Sequence, residues 1–431
     1  MKFLGRSLRA FGLVACFLGL VGCPLLAQNP VSPAASNPPP KFHTASRLVV
    51  VNVVVTDRDG KQISGLKKED FQLFEDGKAQ PLLVFESHET SSQPSAAPHL
   101  HPGADEQTTI PTLAGDGAIN VILFDMLNTA AEDQRYARQE LSEFLETLPQ
   151  GQWVALFTLN DGSLRLVGDF TTPTQDMIAA INDLHPDVSS LLLDRSGERR
   201  RVNNVYSTPS AAYELPLNAA YDWPSNGNTL EQLAQEESSI GYADRWWADM
   251  RAHQTFDAMG EIASALSGYA GRKNLLWLSG GFPGTLPPNL KERRFEPFDY
   301  LAVFQKYSGK LESSQISVYP IDVRGVKSTG RPGIPNSSDY VFAAMDSQRA
   351  MDEIAAQTGG RAFYNTNDVT KAMEHSIEHG TIYYTLAYSP RNQKWNGAFR
   401  RITVSMQRPS AKLDYREGYY ATKDLHPRTS R

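Results

Sequence analysis

The chain has 431 residues and a formal net charge of −6, from 48 acidic and 42 basic side chains. No region supplies the basic surface on which nucleic-acid binding depends, so nucleic acid is excluded as a partner. The two cysteines, Cys16 and Cys23, lie within the first 27 residues. The rest of the chain therefore has no thiol for a disulfide or a thiolate metal site. No segment reaches the roughly 18 apolar residues of a membrane-spanning helix.

The start of the chain has the pattern of an export signal. A positive beginning, an apolar stretch over residues 11–20 and small residues after it predict a signal peptide over 1–27, cleaved after Ala27. Leu20-Val-Gly-Cys23 also resembles a lipobox, so a lipid anchor at Cys23 is the alternative. Residues 28–42 are rich in Pro, Ser and Asn and predict a flexible tether. The mature protein is expected in the periplasm, at the outer membrane or outside the cell.

Two short β-rich segments follow the tether and close the chain. Residues 43–90 and 381–421 each contain about three runs of β-branched and aromatic residues, too few for a stable sheet of their own. Pairing the two segments would bury both apolar faces, which predicts one small β-sandwich-like module. The predicted strands cover residues 47–56, 71–75, 81–86, 383–388, 399–407 and 413–420.

Between these segments, strands and helices alternate over residues 117–380, after a Ser- and Pro-rich linker at 91–116. This order predicts an α/β fold with a doubly wound, mostly parallel sheet. Four residues separate the strands predicted at 153–159 and 164–170, so the second is expected to be an antiparallel edge strand. A helical region ends at Thr358-Gly-Gly360, a last short strand is expected at residues 361–365, and residues 422–431 form a tail.

An irregular stretch at residues 186–240 interrupts the alternation. Its composition leaves little to bury, which predicts an insertion that gains order only with a partner. The aromatic residues that follow it have helical spacing and are interpreted as core, with anchoring of a partner as the alternative. These residues are Tyr242, Trp246 and Trp247.

The chain is arranged around the apolar run Ile119-Asn-Val-Ile-Leu-Phe-Asp125, which indicates a strand covered on both faces. Asp125, Asn128 and Thr129 follow directly, and residues 132–148 have helical spacing. A strand that delivers an acid and a hydroxyl to the carboxyl edge of a sheet and then turns into a helix is typical of a ligand site. Capping of that helix by Asp125 is the structural alternative.

The order of these elements resembles a von Willebrand factor type A domain, and more closely the VWFA-related family found mainly in Acidobacteria. The resemblance implies a Rossmann-like type A fold and an exported binding protein without an established enzymatic activity. The matching fragments are Val53-Val-Val-Thr-Asp-Arg-Asp-Gly60, Leu66-Lys-Lys-Glu-Asp-Phe71, Phe74-Glu-Asp-Gly77, Gly271-Arg-Lys-Asn-Leu-Leu-Trp-Leu-Ser-Gly-Gly281, Ala356-Gln-Thr-Gly-Gly360, Tyr384-Thr-Leu-Ala-Tyr-Ser-Pro390 and Arg416-Glu-Gly-Tyr-Tyr420.

The type A resemblance also implies a site in which Asp-x-Ser-x-Ser, a distant Thr and a distant Asp hold Mg²⁺. Magnesium demands nearly ideal octahedral oxygen ligands. Asp125 and Thr129 match the first motif, but Leu127 replaces a hydroxyl and Gly280 stands at the distant Asp. The prediction is a degenerate site with weak Mg²⁺ binding or none, and no required cofactor.

The predicted binding face consists of the residues that match this site and their polar neighbours: Asp125, Asn128, Thr129, Thr255 and Ser279. Asn128 or Ser279 would supply missing oxygens if a cation binds. Because the strand end is expected at the rim of the sheet, replacing Asp125 with alanine should weaken partner binding and leave the fold intact. The function predicted is non-enzymatic binding of a protein partner.

Three other interpretations compete with binding. His375-Ser-Ile-Glu-His379 matches an inverted zinc-protease pattern, with His375, Glu378 and His379 as the candidate residues of an exported hydrolase. The pattern is expected on the solvent side of its helix. Ser279 before two glycines weakly resembles a nucleophile elbow, although Trp277 stands where that motif needs glycine. A purely structural envelope component is the remaining alternative.

Overall fold

The computed structural model describes residues 48–89, 118–148, 152–160, 163–184, 249–269, 271–282, 285–286, 298–326, 337–406 and 410–422. The chain divides into the units Met1–Ala45 and Ser46–Arg431, and all described residues belong to the second. Several expectations lie outside the described residues. They are the signal peptide and its cleavage after Ala27, the lipid anchor at Cys23, the tether, the linker at 91–116, the insertion at 186–240, the cluster of Tyr242, Trp246 and Trp247, and the tail beyond 422.

The central sheet has five strands in the order β11-β8-β5-β6-β7. All neighbours are parallel except β6 and β7, which form the antiparallel edge hairpin expected from the short turn between them. The strands are β5 (Ile119–Asp125), β6 (Val154–Asn160), β7 (Ser163–Gly168), β8 (Lys273–Ser279) and β11 (Ile316–Asp322).

Helices cover both faces of this sheet. They are α1 (Ala131–Thr147), α2 (Thr174–Asp183), α3 (residues 249–265), α4 (Tyr300–Ser313), α5 (Ser337–Thr358) and α6 (Val369–His379). Helices α3, α4 and α5 contribute to one core and α1, α2 and α6 to the other. Along β5, Val121 and Leu123 enter the first core, whereas Ile122 and Phe124 enter the second. This alternation explains the continuous apolar run and confirms the doubly wound α/β fold.

The expected last strand at residues 361–365 is reduced to one bridge. Phe363 pairs with Ile321 of β11 in parallel. The Phe363 N–H donates to Pro320 O, and Phe363 O accepts the N–H of Asp322, each over 2.8 Å. Two short strands, β9 (Thr285–Leu286) and β10 (Phe298–Asp299), pair antiparallel and lie between β8 and α4 along the chain.

The segments before and after the α/β part pair with each other, as expected. Two four-stranded sheets have the orders β14-β1-β12-β4 and β15-β13-β2-β3. The strands are β1 (Val49–Thr56), β2 (Phe71–Glu75), β3 (Lys78–Gln80), β4 (Val84–Glu89), β12 (Ile382–Tyr388), β13 (Phe399–Met406), β14 (Lys412–Asp414) and β15 (Gly418–Tyr420). Alternate residues of both sheets share one apolar core, so each segment completes the other.

Two predicted strands of this β-module differ from the expectation. The strand predicted over residues 81–86 begins only at Val84, as β4, and β3 (Lys78–Gln80), which pairs with β2, was not predicted. The single strand predicted over residues 413–420 is two short strands, β14 and β15, because the chain leaves the ladder between them. There the Arg416 side chain turns inward and pairs with Glu312 of α4 over 2.5 Å.

Among the described residues, no helix is long and apolar enough to cross a membrane.

Candidate functional site

The carboxyl ends of three neighbouring strands meet at one edge of the central sheet. Asp125 of β5 is level with Ser279 of β8, which is level with Asp322 of β11. Parallel strands bring their carboxyl ends to the same edge, which is where doubly wound sheets bind ligands. This edge is therefore the candidate site, as the sequence predicted.

The Asp125 carboxylate lies at the centre of a hydrogen-bonded cluster. Its Oδ1 accepts the Asn128 backbone N–H over 3.0 Å, and its Oδ2 accepts the Asn128 Nδ2 over 2.8 Å. Trp277 Nε1 and Ser279 Oγ also donate to Oδ2, over 2.9 and 3.1 Å. Four donors from two segments of the fold, the loop after β5 and strand β8, thus converge on one side chain.

Two further hydroxyls complete this cluster. Asn128 Nδ2 lies 2.8 Å from the Thr255 Oγ1 of α3. The Thr129 hydroxyl donates to the Asp125 backbone carbonyl and accepts the Gly280 N–H over 2.8 Å. A Cβ on Gly280 would lie 2.8 Å from Asn128 O, so the two loops touch only because this residue has no side chain. The structure brings all the predicted residues together, and their role in binding stays a prediction.

The position of the cluster corrects the sequence-based expectation in two ways. Asp125, Thr129, Thr255 and Ser279 are 0% exposed and Asn128 is 6% exposed, so none of them forms a rim open to a partner. Asp125 does not cap α1 either, because the residue at the helix N-cap is Ala130, which makes no side-chain capping bond. Its carboxylate instead holds the loop that connects β5 to the helix.

Burial raises the pKa of the Asp125 carboxyl above its ordinary value of 3.8. The hydrogen bonds from Asn128, Trp277 and Ser279 favour the ionised form and offset this effect only in part. A carboxyl group of this kind acts as a structural acceptor for the surrounding donors.

These residues do not fit a bound divalent cation. Mg²⁺ is held by oxygen lone pairs, whereas the Asn128 and Trp277 nitrogens bring only N–H groups to Asp125. The Asn128 amide already joins Asp125 Oδ2 to Thr255 Oγ1, the two oxygens that a cation would have to share. Leu127 is fully buried and offers no ligand. Within the described residues, no group of three or more His, Cys, Asp or Glu side chains is placed to hold a metal.

A second acid at the same edge was missed from the sequence. Asp322 ends β11, and its carboxylate accepts from Arg324 Nε and Nη2 over 2.8 and 2.7 Å. The guanidinium lies beneath Gly281, where a Cβ would approach it to 2.8 Å. The order Asp-x-Arg at a strand end was the available signal, because a guanidinium two residues on can fold back onto the carboxylate.

The zinc-protease pattern does not form one site. His379 is buried rather than on the solvent side, and its Nε2 and Nδ1 lie 2.8 Å from Asp414 Oδ2 and 3.0 Å from Tyr319 OH. His375 is exposed and lies 3.3 Å from the exposed Glu378. Because both His379 nitrogens are engaged, the two imidazoles cannot share a metal. Ser279, the candidate nucleophile, is fully buried, and its hydroxyl donates to Asp125 Oδ2, an oxygen that also accepts from Asn128 and Trp277.

No protein-family model matches the chain, and no curated protein sequence matches it. Solved structures do, among them proximal thread matrix protein 1 from the mussel byssus, with a zinc-occupied MIDAS motif. The match has 12% identity, a TM-score of 0.28, and covers 64% of this chain and 49% of that one. A von Willebrand factor type A protein from Catenulispora acidiphila matches at 11% identity and a TM-score of 0.22, over 82% and 76% of the two chains.

The ArnB paralog VWA2 from Sulfolobus acidocaldarius matches at 9% identity and a TM-score of 0.25, over 86% of this chain and 76% of that one. The chain spans about half the length of the mussel protein. Similarity this distant transfers neither a ligand nor a partner. The type A-like architecture of this chain therefore rests on its own sheet order and helix placement.

Proposed function

We propose that this chain is an exported, non-enzymatic protein-binding module that works without a metal ion. The observation that carries the proposal is the buried cluster around Asp125, in which every predicted ligand is engaged by an internal hydrogen bond. Such a cluster offers no reacting group, but it fixes two loops at the edge where α/β sheets bind ligands.

The contact surface in this proposal is the outside of those loops. Ala130, Gly280 and Gly281 are half-buried. Ala130 directly follows Thr129 of the cluster along the chain, and the two glycines directly follow Ser279. Small residues present backbone groups to a partner, and loops that are already fixed lose little conformational entropy on binding. The cluster thus acts as a support for the contact surface.

The first test is metal dependence. The full chain, immobilised and exposed to an envelope extract, should capture the same partner with and without a chelator. Calorimetric titration with Mg²⁺ should give no binding heat at millimolar concentration, because N–H donors occupy Asp125. Micromolar Mg²⁺ affinity, or capture that the chelator abolishes, would contradict the metal-independent mechanism. Absence of any captured protein would favour the structural envelope component.

The second test changes the loop without touching a polar side chain. We expect Gly280→Ala to reduce capture severalfold, because its Cβ would meet Asn128 O and Thr129 Cα at 2.8 and 2.9 Å and push the loops apart. Such overpacking costs roughly 1–3 kcal/mol.

Gly309→Ala on α4 is the matched control, since nothing lies within 4 Å of its Cβ. It should keep full capture and gain roughly 0.5–1 kcal/mol of stability from helix propensity. Equal capture by the two variants would place the contact surface elsewhere.

A further inference from the structure

A network of polar side chains crosses the junction between the central sheet and the β-module. Helix α6 ends at His379, and β12 of the β-module begins at Ile382. His379 is 6% exposed, and its backbone O accepts the side-chain amide of Gln62, which follows β1, over 2.7 Å. The network shares no residue with the cluster around Asp125, so its role does not depend on the function proposed for that cluster.

The imidazole of His379 connects the two parts of the protein. Its Nδ1 lies 3.0 Å from the Tyr319 hydroxyl of β11, and its Nε2 lies 2.8 Å from Asp414 Oδ2 of β14. The Tyr319 oxygen also accepts Nη2 of Arg272, a fully buried residue next to β8, over 2.9 Å. Asp414 Oδ2 accepts Arg361 Nη2 over 2.5 Å. The network therefore runs from a cation beside the central sheet to a carboxylate of the β-module.

The groups at the two ends of this network determine where its protons lie. A guanidinium can only donate, so the Tyr319 oxygen accepts from Arg272 and its hydrogen is left for His379 Nδ1. Burial opposes ionisation of Asp414, but the hydrogen bond from His379 and the charge of Arg361 lower its pKa to about 2. The ionised carboxylate can only accept, so the His379 hydrogen lies on Nε2. With a neutral His379, every hydrogen bond of the network has one donor and one acceptor.

A second proton on His379 would disturb this network. It would lie on Nδ1 and face the Tyr319 oxygen, and the Tyr319 hydrogen would lose its acceptor. An ion pair with Asp414 would compensate only in part, because Arg361 already pairs with that carboxylate. The titratable and charged groups around the imidazole are Asp414 and Lys412 of β14, Arg361 after α5, Arg272 before β8 and Tyr319 of β11.

The surroundings of His379 favour its neutral form. Burial lowers its pKa below the ordinary value of 6.5, and the hydrogen bond to Asp414 opposes this effect. The charges of Arg361 and Arg272 lower the pKa further. A state in which the imidazole is in water therefore binds a proton more readily than the closed network does.

We propose that this junction is a pH-sensitive switch, in which a proton taken up by His379 releases the edge strand β14. This strand has three residues, lies at the edge of its sheet and pairs with Val54–Thr56 of β1. Short edge segments open at a lower free energy than the core of a domain. Opening of β14 removes Asp414 from His379 and brings the imidazole into water, where it holds the proton.

The linkage gives this switch a direction. As pH falls below 6.5, the imidazole of the open state takes up a proton, whereas that of the closed state stays neutral until its lowered pKa is reached. Acid therefore favours opening, by at most about tenfold per pH unit, which is the limit for one proton. Well above pH 6.5 both states are neutral, and pH has no effect through His379.

Hydrogen exchange of the full chain, corrected for the effect of pH on the chemical exchange rate, measures the opening. Between about pH 7.5 and about pH 5.5, the protection of the amides of β14 and of Val54–Thr56 should fall severalfold, while that of β5 stays constant. An equal loss of protection along β5 would mean global unfolding, and unchanged protection of β14 would mean that no switch exists. Either result would overturn the proposal.

The variant His379→Gln removes the titrating group and keeps an amide N–H for Asp414. Protection of β14 in this variant should no longer change over this pH range. His375→Gln is the matched control, because His375 lies on the same helix, is exposed and contacts only the exposed Glu378 in an ion pair, at 3.3 Å. It should respond to pH like the unmodified chain. A pH response that persists in His379→Gln would contradict the switch.

NMR titration of the His379 imidazole in the unmodified chain decides the matter if His379→Gln does not fold. A pKa below 6.5 in the folded protein, together with acid-induced exchange confined to β14 and its partner residues, supports the switch. A pKa at or above 6.5 in the folded protein overturns it, because acid would then favour the closed state or leave it unchanged.

Discussion

The variant Asp125→Ala should lower the free energy of unfolding by about 4 kcal/mol. The substitution removes the acceptor of three buried N–H groups: the Asn128 backbone N–H, one amide hydrogen of Asn128 and the Trp277 indole. The other amide hydrogen of Asn128 keeps Thr255 Oγ1, and the Ser279 hydroxyl has Gly281 O as a second acceptor at 3.2 Å. Each buried unsatisfied donor costs roughly 1–3 kcal/mol, offset in part by removal of the buried carboxyl. This is a large share of the roughly 5–15 kcal/mol that stabilises a domain.

Urea unfolding followed by circular dichroism measures the effect. Asp176→Ala is the control, because this aspartate is exposed in the first turn of α2. Its loss should cost only about 0.5 kcal/mol through the helix dipole. An Asp125→Ala variant as stable as the control would mean that the carboxylate does not hold the loops. We therefore expect lower stability from Asp125→Ala, whereas the sequence alone predicted an intact fold with a weakened partner contact.

The isosteric variant Asp125→Asn adds a pH signature. Burial raises the pKa of Asp125 in the folded protein, so the folded state keeps a proton that the unfolded state releases near 3.8. The contribution of Asp125 to the free energy of unfolding therefore falls as pH rises above 3.8, until the carboxyl of the folded protein has also ionised. The stability of the unmodified chain relative to Asp125→Asn should accordingly fall with rising pH over that window. A difference that grows with pH would mean that the folded pKa is lowered.

The second large effect is expected in the β-module. Arg400→Met should destabilise the protein by about 3–5 kcal/mol, because it leaves the buried carboxylate of Glu75 without its cation. Both side chains are 2% exposed, and the Arg400 Nη1 lies 3.4 Å from Glu75 Oε1. Glu75 Oε2 also accepts the Tyr388 and Tyr419 hydroxyls, each over 2.8 Å. Two tyrosine hydroxyls cannot replace the lost positive charge.

The neighbouring residue supplies a matched control. Arg401 follows on the same strand, points to the opposite face and is exposed, so Arg401→Met should change stability by less than about 0.5 kcal/mol. Replacing the pair together, by Glu75→Leu and Arg400→Met, should recover part of the loss, since no charge stays buried alone. The recovery is partial because the Tyr388 and Tyr419 hydroxyls then lose their acceptor on Glu75. The measurement is the free energy of unfolding by denaturant for the unmodified chain, Arg400→Met, Arg401→Met and the double variant. Equal losses for Arg400→Met and Arg401→Met would show that the buried pair is not needed.

Much of the fold was predictable from the sequence because local periodicity reports burial. Val121 to Phe124 alternate between two cores, and only a strand covered on both faces produces that unbroken apolar run. The short turn before Ser163 predicted the antiparallel edge, because parallel strands need a long crossover. The β-segments at the two ends were predicted to pair because neither could bury an apolar face alone.

The members of the candidate site were predictable for the same reason. Strand ends and the resemblance to type A domains placed Asp125, Asn128, Thr129, Thr255 and Ser279 together, and the structure brings them within hydrogen-bonding distance. Their surroundings were not predictable. Periodicity does not show whether a polar residue at a strand end turns outward to a ligand or inward to neighbouring donors.

The sequence by itself determined the order of the elements, the alternation of the cores and the set of residues at the edge of the sheet. These depend on neighbours along the chain. Tertiary structure alone decided that Trp277 donates to Asp125 and that His379 turns toward Asp414. Such contacts join residues whose separation along the chain carries no periodic signal, and burial makes each donor find an acceptor wherever the fold places one.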